Sequence, residues 1–336
     1  MIILISLLCG FCYGAWCLLN LRYGLRYYIC YLWTLKQNVG FIWVTDKCEA
    51  NKYLQSVDKG NFIEAKLSRN AWKPILSLES ENGEAWILLK DRLMLLMKLL
   101  PDVSALTEIT NITIDRSGDH ITSNEVGVLT IQVFMQYVFG VFETERLDYH
   151  NKCCYELYEA SLEFRKEIAL KGWGDVNKKK RAVTIISEYL VRSKYNLPND
   201  IYSVSVVLQP FIISPAINVS DVAISWDLTK SIEFNITINH PFPILEREIV
   251  IDGNKYQMFI PTDELKILPF GYGPRQCSGK AIASTFLKLF FMALMQKKIY
   301  KPRENHMFSG RDNDVSCNIE EILFQLNTIV RLFILE

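Results

Sequence analysis

The sequence predicts a mainly α-helical protein with a small β portion, preceded by an N-terminal helix that anchors it in a membrane. Three observations predict this fold class: an uncharged apolar segment at the N-terminus, several long segments with apolar residues at helical spacing, and one short β-rich pair near residue 250. The chain has 336 residues, half of them hydrophobic, which is enough for one large domain or two small ones.

Charge and cysteine content exclude several classes of protein. The 37 basic and 37 acidic side chains balance, so the chain lacks the basic excess that drives binding to nucleic acid. Its nine cysteines are odd in number and widely scattered, which argues against a disulfide framework. Cys9 and Cys12 have C-x-x-C spacing, but no second pair matches them, so a zinc ribbon is not expected.

Residues 1–21 carry no charged side chain and are predicted to cross a membrane once. A cleaved signal peptide would need basic residues before the apolar segment, and none precedes it. A buried helix is the other alternative. The basic residues Arg22, Arg26 and Lys36 follow the segment, so the positive-inside rule predicts that the remainder of the chain is cytosolic.

The segment after the anchor is rich in aromatic residues that are expected at the level of the lipid headgroups. These residues are Tyr23, Tyr27, Tyr28, Tyr31 and Trp33. The predicted organisation is therefore a transmembrane signal anchor at 1–21, a juxtamembrane segment at 22–45 and a folded domain at 46–336.

Hydrophobic periodicity predicts the elements of the folded domain. Four segments are predicted helices: 84–100, 151–195, 211–230 after Pro215, and Gly279 to about Gln296. Residues 126–142 are mostly apolar, are rich in β-branched and aromatic residues, and fit either a buried helix or a strand. Residues 249–261 predict a hairpin around Asp-Gly-Asn. The basic run Lys178–Arg181 is expected to be a solvent-exposed helix face or loop.

One glycine-rich segment places a single cysteine just before a predicted apolar helix. It has the pattern F-x-x-G-x-R-x-C-x-G, formed by Phe270, Gly273, Arg275, Cys277 and Gly279. Each residue type suits a cysteine that binds haem iron. Backbone N–H groups at a helix N-terminus stabilise a thiolate, and glycines let the backbone approach a porphyrin. The arginine suits a haem propionate, and the phenylalanine can shield the sulfur from water. The alternative interpretation is a buried structural cysteine in a glycine-rich turn.

This segment resembles the haem-binding signature of the cytochrome P-450 family of haem-thiolate monooxygenases. The resemblance implies Cys277 as the ligand of the iron in haem b (iron protoporphyrin IX), an apolar small-molecule substrate, and a flavoprotein reductase as electron donor. Together with the predicted anchor, it implies a single-pass protein of the endoplasmic reticulum membrane with a cytosolic haem domain.

Two further segments resemble parts of the same family that contact the haem propionates. Trp86 and Lys90 resemble the W-x-x-x-R/K pattern of the family's C helix, although a lysine at this spacing is also compatible with a plain surface residue. Residues 241–261 resemble the segment after the family's K helix, in which Arg247 would face a propionate. The alternative for Arg247 is an exposed arginine on a hairpin.

Residues 214–228 resemble the family's I helix, which crosses over the haem, but they depart from its A-G-x-[DE]-T pattern. Asn218 stands in the position of the acid and Val219 in that of the threonine. An asparagine can donate a hydrogen bond but cannot relay a carboxyl proton. Ser220, one position further, could substitute for the alcohol. Asn218 and Ser220 are therefore the candidate catalytic residues on this helix.

The Glu-x-x-Arg pair of the family's K helix is absent from its expected place. Phe234 and Thr237 stand at those positions, and Glu143-Thr-Glu-Arg146 has the right spacing but precedes the I-helix-like segment. In the family this ion pair supports the loop beneath the haem. The segments between the landmarks are also short, so we expect a trimmed version of the cytochrome P-450 fold.

Three functions are compatible with these observations. The first is a membrane-anchored monooxygenase that uses dioxygen and electrons from a reductase. The second is a haem-thiolate enzyme that rearranges hydroperoxides, which needs no acid–alcohol pair, and in which Asn218 would orient the peroxide. The third is a non-catalytic relative that acts as a membrane-bound interaction protein.

Overall fold

The computed structural model describes residues 24–140, 147–168, 173–224, 244–261, 270–271 and 273–301. The described residues are mainly helical with a small amount of sheet, which confirms the predicted class. The predicted anchor at 1–21 lies outside them. The chain divides into two compact units, and the described part of the first consists of residues 24–67 and 244–261.

The elements are numbered here in chain order. The described helices are α1 Gly24–Gln37, α2 Lys47–Tyr53, α3 Ile63–Trp72, α4 Gly83–Leu99, α5 Val103–Asp115, α6 Ser123–Phe139, α7 Leu147–Ile168, α8 Val176–Arg192, α9 Ile201–Val207, α10 Ser214–Ile224 and α11 Lys280–Lys297. The described strands are β1 Gly40–Trp43, β2 His120–Thr122, β3 Ile244–Ile251, β4 Asn254–Pro261 and β5 Ile299–Lys301.

The first unit contains a three-stranded sheet in the order β1-β4-β3. Strands β3 and β4 form an antiparallel hairpin, as the sequence predicts, and β1 pairs with β4 in parallel. The hairpin turns at Asp252 and Gly253, whose φ angles of 49° and 80° both lie in the left-handed region. An Asp-Gly pair favours this tight turn because both residues tolerate a positive φ.

A small apolar core in the first unit contains side chains from α1, α3 and β4. Trp33 is only 2% exposed, and its indole N–H donates to the backbone oxygen of Asn61 at 2.8 Å. The expectation that Trp33 lies among lipid headgroups is therefore wrong. Trp33 lies on the side of α1 that faces this small core, where Phe259 of β4 also packs.

The second unit is built around α6, most of whose side chains are buried. The sequence pattern of residues 126–142 fits either a helix or a strand. In the structure, residues 126–139 belong to α6, which ends at Phe139. Its start is fixed by a capping box, in which the Thr122 hydroxyl accepts from the Glu125 N–H and the Glu125 carboxylate accepts from the Thr122 N–H at 2.7 Å. Gly127 lets α10 approach closely, because a Cβ there would lie 2.8 Å from the Ser220 hydroxyl oxygen.

Helices α9 and α10 are joined by a π-helical segment, Leu208–Ile213, into one continuous helix. Pro210 lies within the π segment, and a proline has no N–H for the regular helical ladder, so a locally widened turn accommodates it. The stretch Ile201–Ala223 is long and apolar enough to cross a membrane, but most of it is buried inside the protein. It is a core helix here.

The basic run Lys178–Arg181 belongs to α8, and its expected exposure is wrong for Lys179. The side chain of Lys179 is buried because it lies on the same helical face as Ala182 and Ile186, which faces the core. Its ammonium group is 2.9 Å from a carboxylate oxygen of Glu167 on α7. A partner from another helix thus allows one charged side chain of this run to be buried.

His150 on α7 is also buried, and one of its ring nitrogens lies 3.1 Å from the hydroxyl of Tyr189 on α8. Burial lowers the pKa of His150 to about 4, so the imidazole is neutral at pH 7. Its ordinary pKa of about 6.5 applies in the unfolded chain. Protonation therefore favours unfolding as the pH falls from about 6.5 to 4.

We predict that a His150→Gln variant loses this pH dependence. Because the two pKa values differ by about 2.5 units, the wild-type free energy of unfolding should fall, relative to that of the variant, by about 3 kcal/mol between pH 7 and pH 4. Urea unfolding followed by tryptophan fluorescence at the two pH values measures both proteins. Parallel pH profiles for the two would contradict the prediction.

Candidate functional site

The loop around Cys277 is closed by its own backbone. The Cys277 N–H donates to the Phe270 carbonyl at 2.9 Å, and the Gln276 N–H donates to the Gly273 carbonyl at 2.9 Å. Gly271 and Gly273 have φ angles of 70° and 69°, which only glycine adopts without strain. Gly271 and Gly273 therefore shape the loop locally, before any partner is considered.

The sulfur of Cys277 lies at the start of α11. Gly279 is the N-cap of that helix, and its backbone N–H lies near the Cys277 sulfur, where it lowers the pKa of the thiol. A Cβ at Gly279 would lie 3.9 Å from Sγ, so glycine leaves the space beside the sulfur open. An N–H donor and the positive end of a helix both stabilise a thiolate.

The electrostatic surroundings of Cys277 act in opposite directions. Desolvation by the surrounding protein atoms raises the pKa of its thiol, and the Glu79 carboxylate raises it further. The Gly279 N–H and the Lys90 ammonium lower the pKa. The residue nevertheless keeps an accessible surface. A cation bound at the sulfur would displace the proton, because a coordinating thiol is deprotonated.

Helix α4 brings Trp86 and Lys90 to this loop. The guanidinium carbon of Arg275 lies 4.3 Å from the centre of the Trp86 ring. One turn further along α4, the Lys90 ammonium donates to the hydroxyl of Ser278. The pKa of Lys90 is lowered mainly by burial, and Arg275 adds to the effect while Cys277 opposes it. Trp86 and Lys90, which only the family resemblance linked to the Cys277 segment, thus contact this loop.

Arg275 makes contacts that the sequence did not indicate. Its Nη1 donates to the Glu81 carbonyl at 3.0 Å, and its Nη2 donates to Oδ1 of Asn82 at 2.6 Å. Sequence reasoning assigned Arg275 to a haem propionate, and that role stays a prediction. It also missed Asn82 and Ser278, although one directly precedes α4 and the other directly follows the cysteine.

The aromatic ring of Phe270 was expected to shield the sulfur. In the structure, the backbone carbonyl of Phe270 accepts from Cys277, and the ring lies 6.0 Å from the ammonium group of Lys280. Shielding by the ring stays a prediction.

Arg247 belongs to the first unit, whereas Cys277 belongs to the second. It lies on β3 opposite Met258, is 2% exposed, and donates to the Glu246 carbonyl at 2.7 Å. The alternative interpretation of an exposed hairpin arginine is therefore wrong. Its contact with a propionate stays a prediction.

The two candidate catalytic residues lie on α10. Asn218 is exposed, and the hydroxyl of Ser220 donates to the Ala216 carbonyl of its own helix at 2.7 Å. Asp221, the carboxylate of α10, is 2.6 Å from Arg165 on α7. The described contacts of these side chains are thus with protein groups, and their catalytic roles stay predictions.

The chemistry around Cys277 fits a haem iron. No group of three or more histidine, cysteine, aspartate or glutamate side chains gathers into a metal site within the described ranges. The nearby Gly279 N–H and the cationic Lys90 suit an anionic thiolate ligand.

Comparison with protein-family models gives a match to this part of the chain. The family model described as Cytochrome P450 matches residues 256–318, a segment that includes most of β4, the Cys277 loop and α11. No curated protein matches the chain. The match confirms the resemblance over this segment.

Proposed function

We propose that this chain, whose residues 256–318 match the cytochrome P450 family, is a haem-thiolate oxidoreductase in which Cys277 binds the iron of haem b. One observation carries the proposal: the Cys277 sulfur lies at the N-terminus of α11, in a glycine-shaped loop that also contacts the Trp86 and Lys90 face of α4. A structural cysteine would normally be buried and would not need neighbouring cations, whereas Cys277 is an exposed residue beside Lys90.

The residues of the chain would have separate tasks in this site. The Gly279 N–H and the helix start would stabilise the sulfur as an anion. Gly273 and Gly279 would let the backbone lie close to the porphyrin ring of the haem. Lys90 and Arg275 would offset the negative charge of the haem propionates. Phe270 would keep water away from the sulfur, and Trp86 would reach a propionate together with Lys90. When bound, haem supplies an iron that activates dioxygen, and the electron-donating thiolate favours cleavage of the O–O bond.

The monooxygenase reaction requires protons, and α10 is poorly equipped to deliver them. The Ser220 hydroxyl donates to its own helix, and Asp221 is held by Arg165. These contacts favour a second candidate function, the rearrangement of a hydroperoxide, which needs no delivered proton. Asn218, whose side chain is exposed, would then orient the peroxide through its amide.

The remaining parts of the proposal rest on the family resemblance and on the N-terminal sequence. The substrate would be apolar, a flavoprotein reductase would supply electrons to the monooxygenase, and residues 1–21 would anchor the chain in the endoplasmic reticulum membrane. Residues 22–45 would form the juxtamembrane segment, and residues 46–336 the haem domain.

The test is the absorption spectrum of the full chain, expressed with a haem precursor and purified in detergent. We expect the reduced, carbon monoxide-bound protein to show the red-shifted Soret band of thiolate-ligated haem. Turnover with NADPH and a reductase would support the monooxygenase, and turnover with peroxide alone would support the rearranging enzyme. If the chain takes up no haem, both enzymatic functions are contradicted, and the non-catalytic interaction protein is the remaining alternative.

A further inference from the structure

We propose that Asn82 is a positioning residue for the Cys277 loop. Together with the Glu81 carbonyl, its side chain holds the Arg275 guanidinium against the Trp86 ring. This α4 brace, formed by Glu81, Asn82 and Trp86, takes the place of the Glu-x-x-Arg pair that the sequence lacks at the expected position. The inference rests on the proposed function, because the loop must be held firmly if its cysteine is to bind iron.

The first support comes from the helix that Asn82 begins. Asn82 is the N-cap of α4, and asparagine at this position normally accepts a hydrogen bond from its own helix. The Asn82 side chain makes no such capping bond. Its oxygen accepts from Arg275 at 2.6 Å, across 193 residues of sequence. A local stabilising contact has been given up for a long-range one, which is characteristic of functional positions.

The second support is the geometry of the Arg275 contact. The guanidinium donates through two nitrogens to two acceptors while its plane lies near an aromatic ring, an arrangement that arginine provides and lysine does not. Arg275 is only two residues from Cys277. A hydrogen bond from a charged donor stabilises a structure more than a hydrogen bond between two neutral groups. The contact therefore restrains the backbone directly before the sulfur.

The third support is the rigidity of the segment that receives Arg275. The N–H of Leu76 donates to the Ser205 hydroxyl at 3.0 Å, and the N–H of Leu78 donates to Oε1 of Gln209 at 3.3 Å. Ser205 and Gln209 are buried on the long helix formed by α9, the π segment and α10. The segment before α4 is thus fixed to the core of the second unit, so it can restrain the loop.

Three variants separate the brace from helix capping. Asn82→Ser keeps a good N-cap for α4, but its side chain is too short to reach Arg275. Asn82→Asp keeps the acceptor and should restore the contact. Asp102→Ala removes an N-cap that bonds to the Ser104 and Ala105 N–H groups of α5, and serves as the control for loss of capping alone.

The measurement is hydrogen exchange of the peptide that covers residues 273–280, on the full chain without haem. We expect exchange about tenfold faster in Asn82→Ser, because a hydrogen bond to a charged group is lost. Asn82→Asp and Asp102→Ala should match the wild type. The proposal is overturned if Asn82→Ser exchanges as slowly as the wild type, if Asp102→Ala accelerates the loop equally, or if Asn82→Asp fails to restore protection.

A second readout links the brace to the ligand. In chains loaded with haem, Asn82→Ser should lower the fraction that shows the thiolate-type carbon monoxide band at least twofold, and Asn82→Asp should not. An unchanged fraction would overturn the positioning role. If the wild type takes up no haem, the proposed function fails, and the exchange experiment still decides whether the brace exists.

Discussion

Replacing Cys277 by serine is expected to abolish the thiolate-type carbon monoxide spectrum and to lower haem content by about tenfold or more, since loss of even an outer-shell partner weakens metal binding by that factor. Serine is nearly the same size as cysteine, and the hydrogen bonds that close the loop join backbone groups, so the loop should keep its shape. Its hydroxyl, however, is not ionised at neutral pH and is a poor ligand for haem iron. The absorption spectrum and the haem-to-protein ratio measure both effects.

The matched control is Cys48→Ser. Cys48 is the other exposed cysteine among those described, and it lies on α2 in the first unit. This variant should keep the wild-type spectrum and haem content. If Cys277→Ser retains the thiolate-type band, the iron is held by another side chain, and the proposed function loses its basis.

The shape of the Cys277 loop could be predicted from sequence because its determinants are local. Two glycines at positive φ, an N–H donor two residues after the cysteine and the start of an apolar helix all lie within ten residues. The hairpin at Asp252 and Gly253 was predictable for the same reason. Where a short segment determines its own conformation, pattern and structure agree.

The partners of the loop could be predicted only in part. The spacing of Trp86 and Lys90 was informative because it resembles a known pattern, and both residues do contact the loop. Asn82 carried no such signal. An asparagine before a helix is expected to cap that helix, and nothing in the local sequence indicates that its oxygen binds an arginine almost two hundred residues away.

Segments buried on all sides were ambiguous for a different reason. Residues 126–142 are mostly apolar, so they show neither a clear helical period nor a clear strand period. The capping box of Thr122 and Glu125, which lies just before the apolar segment, indicates a helix. Burial of Trp33 was similarly hidden, since an aromatic residue after a predicted anchor suits a headgroup region and a protein core equally well.

The strongest stability effect is expected at Lys179, the residue whose burial the charged run concealed. Its ammonium group lies 2.9 Å from Glu167, donates to the Ala71 carbonyl at 2.8 Å, and is 4.8 Å from the centre of the Phe164 ring. Lys179→Met keeps an apolar chain of similar length against Phe164. It removes the charge, and so leaves the Ala71 carbonyl without its donor and the largely buried Glu167 carboxylate without its cation, with the Gly174 N–H as its remaining donor at 2.6 Å.

Lys179→Met should therefore lower the free energy of unfolding by about 3 kcal/mol, because breaking a buried ion pair by removing one partner is strongly destabilising. Lys178→Met is the control: that lysine is 41% exposed and 3.5 Å from Glu159, and its loss should cost less than about 0.5 kcal/mol. Adding Glu167→Gln to Lys179→Met should recover about 1 kcal/mol or more, since the uncompensated charge is then gone. Urea unfolding of the three variants measures these differences. Equal losses for the two lysine variants would show that the ion pair contributes no more than a surface contact.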